Sequence, residues 1–187
     1  MYQFFSGQPT SRLTAAAGCL TPPIVAGGVG GSGTRLIAQW LRALGVDMGL
    51  ELNAAEDALA FLPLYEHIND YLAGAADPNR LADDLGLAIE RHRAGAAGGG
   101  VWGWKNPRSI YLLPVFDALL PGCRYVHVIR DGLAMATSDN QNQLRLHGEA
   151  LLGAAAGAGV AARALLLWAR VNQAAAEYGE QRMGGRS

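Results

Sequence analysis

The stretch Pro23 to Leu36, PIVAGGVGGSGTRL, places a short apolar run before a cluster of glycines and a Ser-Gly-Thr-Arg sequence. This order predicts a buried strand that ends in a tight glycine turn and leads directly into a helix. The first N–H groups of such a helix have no partner within it and point beyond its N-terminus. We therefore expect a site for a phosphate-like or sulfate-like group at this turn.

Length and composition indicate one folded domain. The chain has 187 residues, of which 50% are hydrophobic and 17% charged, enough for a sizeable apolar core. We expect a loosely ordered lead-in over residues 1–22 and a single domain over 23–187, with a helical connector or cap at about 54–93. The formal net charge of −1 gives no electrostatic reason to expect a nucleic-acid partner.

Cysteine content and hydropathy bear on the compartment. Cys19 and Cys123 are too few and too far apart to suggest a disulfide framework or a zinc site. No apolar run approaches the roughly 20 residues needed to cross a bilayer, and the first 22 residues do not resemble a secretory signal. These features predict a cytoplasmic protein with no membrane span.

Strand and helix signals alternate along the chain. Buried strands are expected near 23–26, 101–105 and 124–129, and helices at 34–44, 54–72, 81–93, 109–120, 131–144 and 160–178. Alternation of this kind is typical of an α/β fold in which helices cover both faces of a parallel sheet, a three-layer sandwich. Ligands of such sheets bind beyond the carboxyl ends of the strands.

A second anion signal lies in VHVIRDGLAMATS, Val126 to Ser138. Arg130 lies at the end of the predicted strand, and Ser138 follows about two turns into the next predicted helix. A guanidinium fork and a hydroxyl donor suit a phosphate monoester. Two anion sites on one sheet edge imply a ligand with phosphates at both ends.

The glycine turn also admits other interpretations. Gly28, Gly30 and Gly33 satisfy the GxGxxG dinucleotide pattern, and Glu51 lies at about the distance of a ribose-binding acid, so a NAD-binding oxidoreductase stays open. A kinase-like P-loop is disfavoured because Thr34 stands where that motif requires Lys.

Together, GGVGGSGTR and VIRDGLAMATS resemble the sulfotransferases that use 3′-phosphoadenosine 5′-phosphosulfate. The resemblance implies a P-loop NTPase-like sulfotransferase fold and this nucleotide as co-substrate. It implies that Arg130 and Ser138 hold the 3′-phosphate. It assigns the 5′-phosphosulfate to Gly30, Gly31, Ser32, Gly33, Thr34 and Arg35.

The segment WGWKNPRS, Trp102 to Ser109, resembles the Lys-x-Pro segment found in part of that family. For the cation at the leaving phosphate we expect Lys105, supported by Arg35 and Arg108. Asp57 and Glu51 are the candidate general bases, since some relatives place a catalytic carboxylate in this region. The acceptor would be a hydroxyl or amine of a small molecule or glycan, and the chemistry requires no metal.

Two departures from the family pattern keep a further alternative open. Many members carry Lys or Arg where this chain has Gly31. Members usually run on through another strand and an Arg-Tyr-Glu-Asp-Leu-like segment, whereas this sequence stops at Ser187. The alternative is a truncated relative that binds the nucleotide without transferring sulfate.

Overall fold

A parallel sheet forms the centre of the fold. The computed structural model describes residues 1–3, 5–18, 20–95, 100–153 and 159–184. In this part of the chain the sheet has three strands in the order β2-β1-β3. The strands are β1 (Ile24–Gly28), β2 (Gly103–Lys105) and β3 (Arg124–Val128). Both outer strands run parallel to β1, so all three carboxyl ends lie at one edge, as the sequence predicts.

Helices connect and cover the strands. Two short 3₁₀ segments, Leu59–Phe61 and Pro107–Leu112, precede α-helices. The α-helices are α1 (Ser11–Ala17), α2 (Thr34–Ala43), α3 (Leu62–Glu66), α4 (Ile68–Ala73), α5 (Pro78–Arg93), α6 (Leu113–Leu119), α7 (Gly132–Ala136), α8 (Asn142–Leu152) and α9 (Val160–Arg182). The α/β class is therefore confirmed. None of the helices in the described ranges combines the length and apolar character needed to cross a membrane.

The two faces of the sheet bury unequal cores. On one face α2 packs Ala38 near Ile24 of β1, in a small cluster that includes Val46 and Met48. The larger core contains Val25 of β1 with most of the other buried apolar side chains. Layers on both faces of a small parallel sheet are compatible with a three-layer sandwich.

Trp102 and Trp104 belong to this larger core. Both are almost completely buried, and their rings lie 5.9 Å apart. Phe61 stacks on Trp104 at 4.2 Å, and Phe116 meets the same ring edge-on at 5.3 Å. The alternation of the two tryptophans along the strand therefore places both on one face, where they pack the core.

The helix predicted over 54–72 is wrong at its start. Residues 53–57 form a turn, because the Asn53 side-chain oxygen accepts from the backbone N–H groups of Ala55 and Asp57, each at 2.9 Å. Side-chain acceptance of this kind competes with helix formation. Helical structure then begins with the 3₁₀ segment and continues through α3 and α4.

The helix predicted over 131–144 is two helices, α7 and α8. The Gln141 side-chain amide donates to the carbonyls of Met135, Ala136 and Ser138, at 3.0, 3.3 and 2.7 Å. These hydrogen bonds to carbonyls at and just after the end of α7 satisfy acceptors where the helix stops. Ser138 therefore lies in a turn after a short helix and not two turns inside a long one.

The first 22 residues also differ from the loosely ordered lead-in that the sequence predicts. They include α1, whose Leu13 is 1% exposed. A Cβ atom placed on Gly86 of α5 would lie 2.9 Å from the Leu13 backbone nitrogen, so α1 and α5 pack closely. The burial of Leu13 explains why the segment is ordered. Cys19 lies outside the described residues.

Candidate functional site

The glycine turn joins β1 to α2. Gly31 and Gly33 have φ values of 95° and 94°, in the left-handed region that favours glycine. The Ser32 N–H donates to the Val29 carbonyl at 3.0 Å and closes the turn. The turn therefore leads straight from the end of the central strand into Thr34, the first residue of α2.

The donors of this turn are suited to an anion. Helix α2 begins without a side-chain cap, and the Leu36 N–H donates to the Gly33 carbonyl at 3.0 Å. The N–H groups of Thr34 and Arg35, ahead of Leu36, are the ones suited to a ligand. The Ser32 hydroxyl is buried and has no hydrogen-bond partner among the described residues. A buried hydroxyl without a partner next to an uncapped helix start fits a phosphate or sulfate group.

A cleft of about 740 Å³ opens in front of the turn. Its walls come from the glycine turn, the 53–57 turn, the end of β2 and the start of α8. The lining includes Gly30, Gly31, Gly33, Thr34, Arg35, Asp57, Lys105, Arg108, Asn140, Asn142 and Gln143. The structure thus brings most of the sequence-predicted loop residues, Lys105 and Asp57 to one cleft.

Lys105 and Asp57 form a close ion pair in the cleft wall. The Lys105 ammonium lies 2.7 Å from Asp57 Oδ1 and donates to the Ala55 carbonyl at 2.8 Å. The side chain of Lys105 is 2% exposed and that of Asp57 is 18% exposed. A buried ammonium needs such partners, and both come from the 53–57 turn.

Further contacts fix the 53–57 turn against α2. Glu56 adopts a φ of 63°, uncommon for a residue other than glycine. Its carboxylate accepts from Gln39 at 3.1 Å and from Arg42 at 2.9 Å. The hydrogen bond from Gln39, followed by the charge of Arg42, lowers the pKa of Glu56. The turn that carries Asp57 is thereby tied to the helix that begins at the glycine turn.

Arg130 reaches the glycine turn from β3. Its guanidinium donates to the Gly31 carbonyl at 3.2 Å. The backbone carbonyl of Arg130 accepts from the Trp168 indole of α9 at 3.0 Å. A Cβ on Gly132 would lie 2.8 Å from the Trp168 ring, so the chain after Arg130 packs tightly on α9. These contacts place a cationic side chain beside the turn.

Ser138 lies in the turn that follows α7. Its hydroxyl accepts from the Asn140 N–H at 3.2 Å. Within the described ranges no hydrogen bond joins Ser138 to Arg130 or to the glycine turn. The structure therefore brings Arg130, but not Ser138, into direct contact with the turn.

Glu51 lies apart from the other candidates. Its carboxylate is 3.7 Å from the Arg91 guanidinium of α5, and both side chains are at least half exposed. It is not part of the cleft lining. Glu51 also does not end a strand next to β1, which the NAD-binding alternative requires. The geometry favours Asp57 over Glu51 as the carboxylate of this cleft.

Two further cations line the cleft. Within the described part of the chain, no ion pair engages Arg35 or Arg108. The Arg108 guanidinium lies over the Tyr65 ring, 5.2 Å from its centroid. Burial, together with the charge of Arg108, lowers the pKa of His147 to about 4, so this imidazole is neutral at pH 7.

Sequence reasoning did not single out Gln143 or its partner Tyr111. Gln143 lines the cleft from α8, and Tyr111 donates to its side-chain oxygen at 2.7 Å. Because 32 positions separate the two residues in the sequence, no local sequence pattern indicates that they are in contact. Their contact depends on how α8 packs against the segment after β2.

Replacing Gly33 with Ala should lower the free energy of unfolding by roughly 1–2 kcal/mol, because an L-residue is strained in the left-handed region. A Cβ at Gly33 would meet nothing within 4 Å, so the cost is conformational. Urea unfolding of the wild type and of Gly33→Ala measures this loss of free energy. Gly100→Ala is the matched control, because no described residue lies within 4 Å of a Cβ there and the site has no left-handed φ. Equal losses in both variants would contradict the argument.

Comparison with known proteins gives no assignment. Scans of the chain against protein-family models, curated proteins and solved structures return no match. Within the described ranges, no three or more His, Cys, Asp or Glu side chains are grouped to hold a metal ion.

Proposed function

We propose that this chain is a sulfotransferase that moves a sulfuryl group from 3′-phosphoadenosine 5′-phosphosulfate to a hydroxyl or amine of a small molecule or glycan. The observation that carries the proposal is the hydrogen bond from Arg130 to the Gly31 carbonyl. It joins two groups suited to anions, from neighbouring strand ends, and one of them, the glycine turn, lines the cleft that contains Lys105. The proposal includes a P-loop NTPase-like sulfotransferase fold and a cytoplasmic site of action.

The nucleotide would lie along the carboxyl edge of the sheet. The N–H groups from Gly30 to Arg35 other than that of Ser32, with the hydroxyls of Ser32 and Thr34, would hold the 5′-phosphosulfate. Arg130 would hold the 3′-phosphate with its guanidinium fork, and Ser138 would add a hydroxyl from the turn after α7. The buried Ser32 hydroxyl, for which the described residues offer no hydrogen-bond partner, supports this arrangement.

The ion pair supplies the groups needed for transfer. Asp57 would accept the proton of the acceptor hydroxyl or amine as the new bond to sulfur forms. Lys105 would donate to the bridging oxygen as its bond to sulfur breaks, leaving adenosine 3′,5′-bisphosphate. The 2.7 Å contact keeps the two groups together before the substrates bind. Arg35 would add the positive charge that relatives place at the position of Gly31.

Other residues of the cleft lining would hold the acceptor. Side-chain amides of Asn140 and Asn142 belong to this lining, with Leu62 and Leu146 as apolar neighbours. Amides both donate and accept hydrogen bonds, which suits acceptors that carry hydroxyl groups. Arg108 also lines the cleft, with its guanidinium over the Tyr65 ring.

A transfer assay tests the proposal. The full chain is incubated with the ³⁵S-labelled nucleotide donor and a panel of sugars, phenols and amines, and labelled product is separated from donor. We expect acceptor-dependent transfer in the presence of EDTA. Binding of the donor without transfer to any acceptor would instead favour the non-catalytic nucleotide-binding alternative.

A further inference from the structure

We propose that Gln143 and Tyr111 form a clamp that holds the glycine turn in its anion-binding shape before the ligand arrives. Gln143 is a positioning residue in this view, and Tyr111 orients it. The inference deepens the proposed function and rests on it for the identity of the bound 5′ group. The geometry of the clamp itself is independent of that identity.

The Tyr111 hydroxyl fixes the orientation of the Gln143 side chain. Tyr111 is fully buried, and its hydroxyl donates to Gln143 Oε1 at 2.7 Å. Because the oxygen is engaged there, the Gln143 NH₂ group faces away from Tyr111. Its Nε2 atom lies 3.5 Å from the carbonyl oxygen of Gly28, the last residue of β1. The clamp therefore reaches the point where the strand becomes the turn.

The same side chain packs against the next part of the turn. A Cβ placed on Gly30 would lie 3.3 Å from Gln143 Nε2 and 3.4 Å from its Cδ and Cγ atoms. A side chain at position 30 would therefore require Gln143 to shift by a few tenths of an ångström. The exposed Arg130 side chain donates to the following carbonyl, that of Gly31, at 3.2 Å. The contacts on the buried side of the turn, at Gly28 and Gly30, come from Gln143.

Position relative to the cleft distinguishes the clamp from ordinary core packing. Gln143 is only 7% exposed, yet it forms part of the cleft lining beside Gly30 and Gly31. Its amide has two N–H groups, and the Gly28 carbonyl is the one acceptor that the described residues offer them. Donors that are fixed before a ligand binds require no reorganisation when it arrives. A clamp on Gly28 and Gly30 would fix the N–H groups of the turn in this way.

Amide hydrogen exchange of the ligand-free protein tests the clamp. Tyr111→Phe removes only the hydroxyl that orients Gln143, so we expect amides in residues 28–34 to exchange about five-fold faster than in the wild type. Tyr71→Phe is the matched control, because it removes the hydroxyl of another buried tyrosine, which donates to the Gln3 carbonyl, away from the turn. Unchanged exchange over 28–34 in Tyr111→Phe, or equal acceleration in both variants, would overturn the proposal.

Gln143→Met provides a second variant. It keeps the length of the side chain and removes both hydrogen bonds, and we expect the same acceleration over residues 28–34. If Tyr111→Phe fails to fold, this variant decides the outcome by the same criterion. Slow exchange over the turn in Gln143→Met would overturn the clamp.

Affinities for two nucleotides separate the clamp from a general loss of structure. Tyr111→Phe should lower the affinity for adenosine 5′-phosphate by about five-fold and leave the affinity for adenosine 3′-phosphate unchanged, since only the 5′ group contacts the turn. Equal weakening of both would overturn the positioning role. If the wild type binds neither nucleotide, the proposed function fails, and the exchange experiment still decides whether the clamp exists.

Discussion

Replacing Arg130 with Ala should lower the affinity for adenosine 3′,5′-bisphosphate by about 10- to 100-fold, with little change in the affinity for adenosine 5′-phosphate. A hydrogen bond to a charged group contributes roughly 1.5–3 kcal/mol, and each 1.4 kcal/mol corresponds to a factor of ten. The guanidinium is exposed at the edge of the turn, with the Gly31 carbonyl as its one hydrogen-bond acceptor among the described residues. Calorimetric titration of both nucleotides measures the difference.

Arg124→Ala is the matched control for this experiment. Arg124 is an exposed Arg on the same strand, but it begins β3, whereas Arg130 follows its end. The control should bind both nucleotides like the wild type. Equal losses for the two nucleotides in Arg130→Ala would show that the side chain supports the glycine turn and does not recognise a 3′-phosphate.

Replacing Asp57 with Asn should lower kcat by about 10²- to 10⁴-fold and leave the affinity for adenosine 3′,5′-bisphosphate nearly unchanged. A positioned general base contributes a factor of this size, and Asn cannot accept the proton. Asn keeps the shape of the side chain and an oxygen that can accept from Lys105, which now lies 2.7 Å from the carboxylate. Steady-state kinetics with the best acceptor, together with calorimetry, separate turnover from binding.

Glu51→Gln is the matched carboxylate control. Glu51 comes from the same stretch of sequence but pairs with Arg91 at 3.7 Å, so its removal should change kcat less than two-fold. A large loss in Glu51→Gln with normal turnover in Asp57→Asn would reverse the assignment. Normal turnover in both variants would remove the general-base role from this region.

Local sequence patterns are sufficient to predict which residues lie at the carboxyl ends of the strands. An apolar run followed by glycines predicts the end of β1, and Arg130 follows the apolar strand β3 directly along the chain. Parallel strands end at a common edge, so these features meet without any knowledge of long-range packing. The same reasoning placed Lys105 at the end of β2.

Long-range side-chain contacts explain what the sequence could not predict. The acidic candidates Glu51 and Asp57 look alike in the sequence. Only the packing of α5 and β2 shows that Glu51 pairs with Arg91 and Asp57 pairs with Lys105. Side chains bond to the backbone at the break between α7 and α8, among them Gln141, whose amide donates to three carbonyls. Helical propensity alone does not reveal such competition.

Calorimetric titration of the full chain with adenosine 3′,5′-bisphosphate in EDTA tests the central claim most directly. The claim is that the glycine turn and Arg130 bind opposite ends of one doubly phosphorylated nucleoside. We expect one binding site per chain, with a higher affinity for this bisphosphate than for adenosine 5′-phosphate or adenosine 3′-phosphate. No binding, or binding only after Mg²⁺ is added, would contradict it.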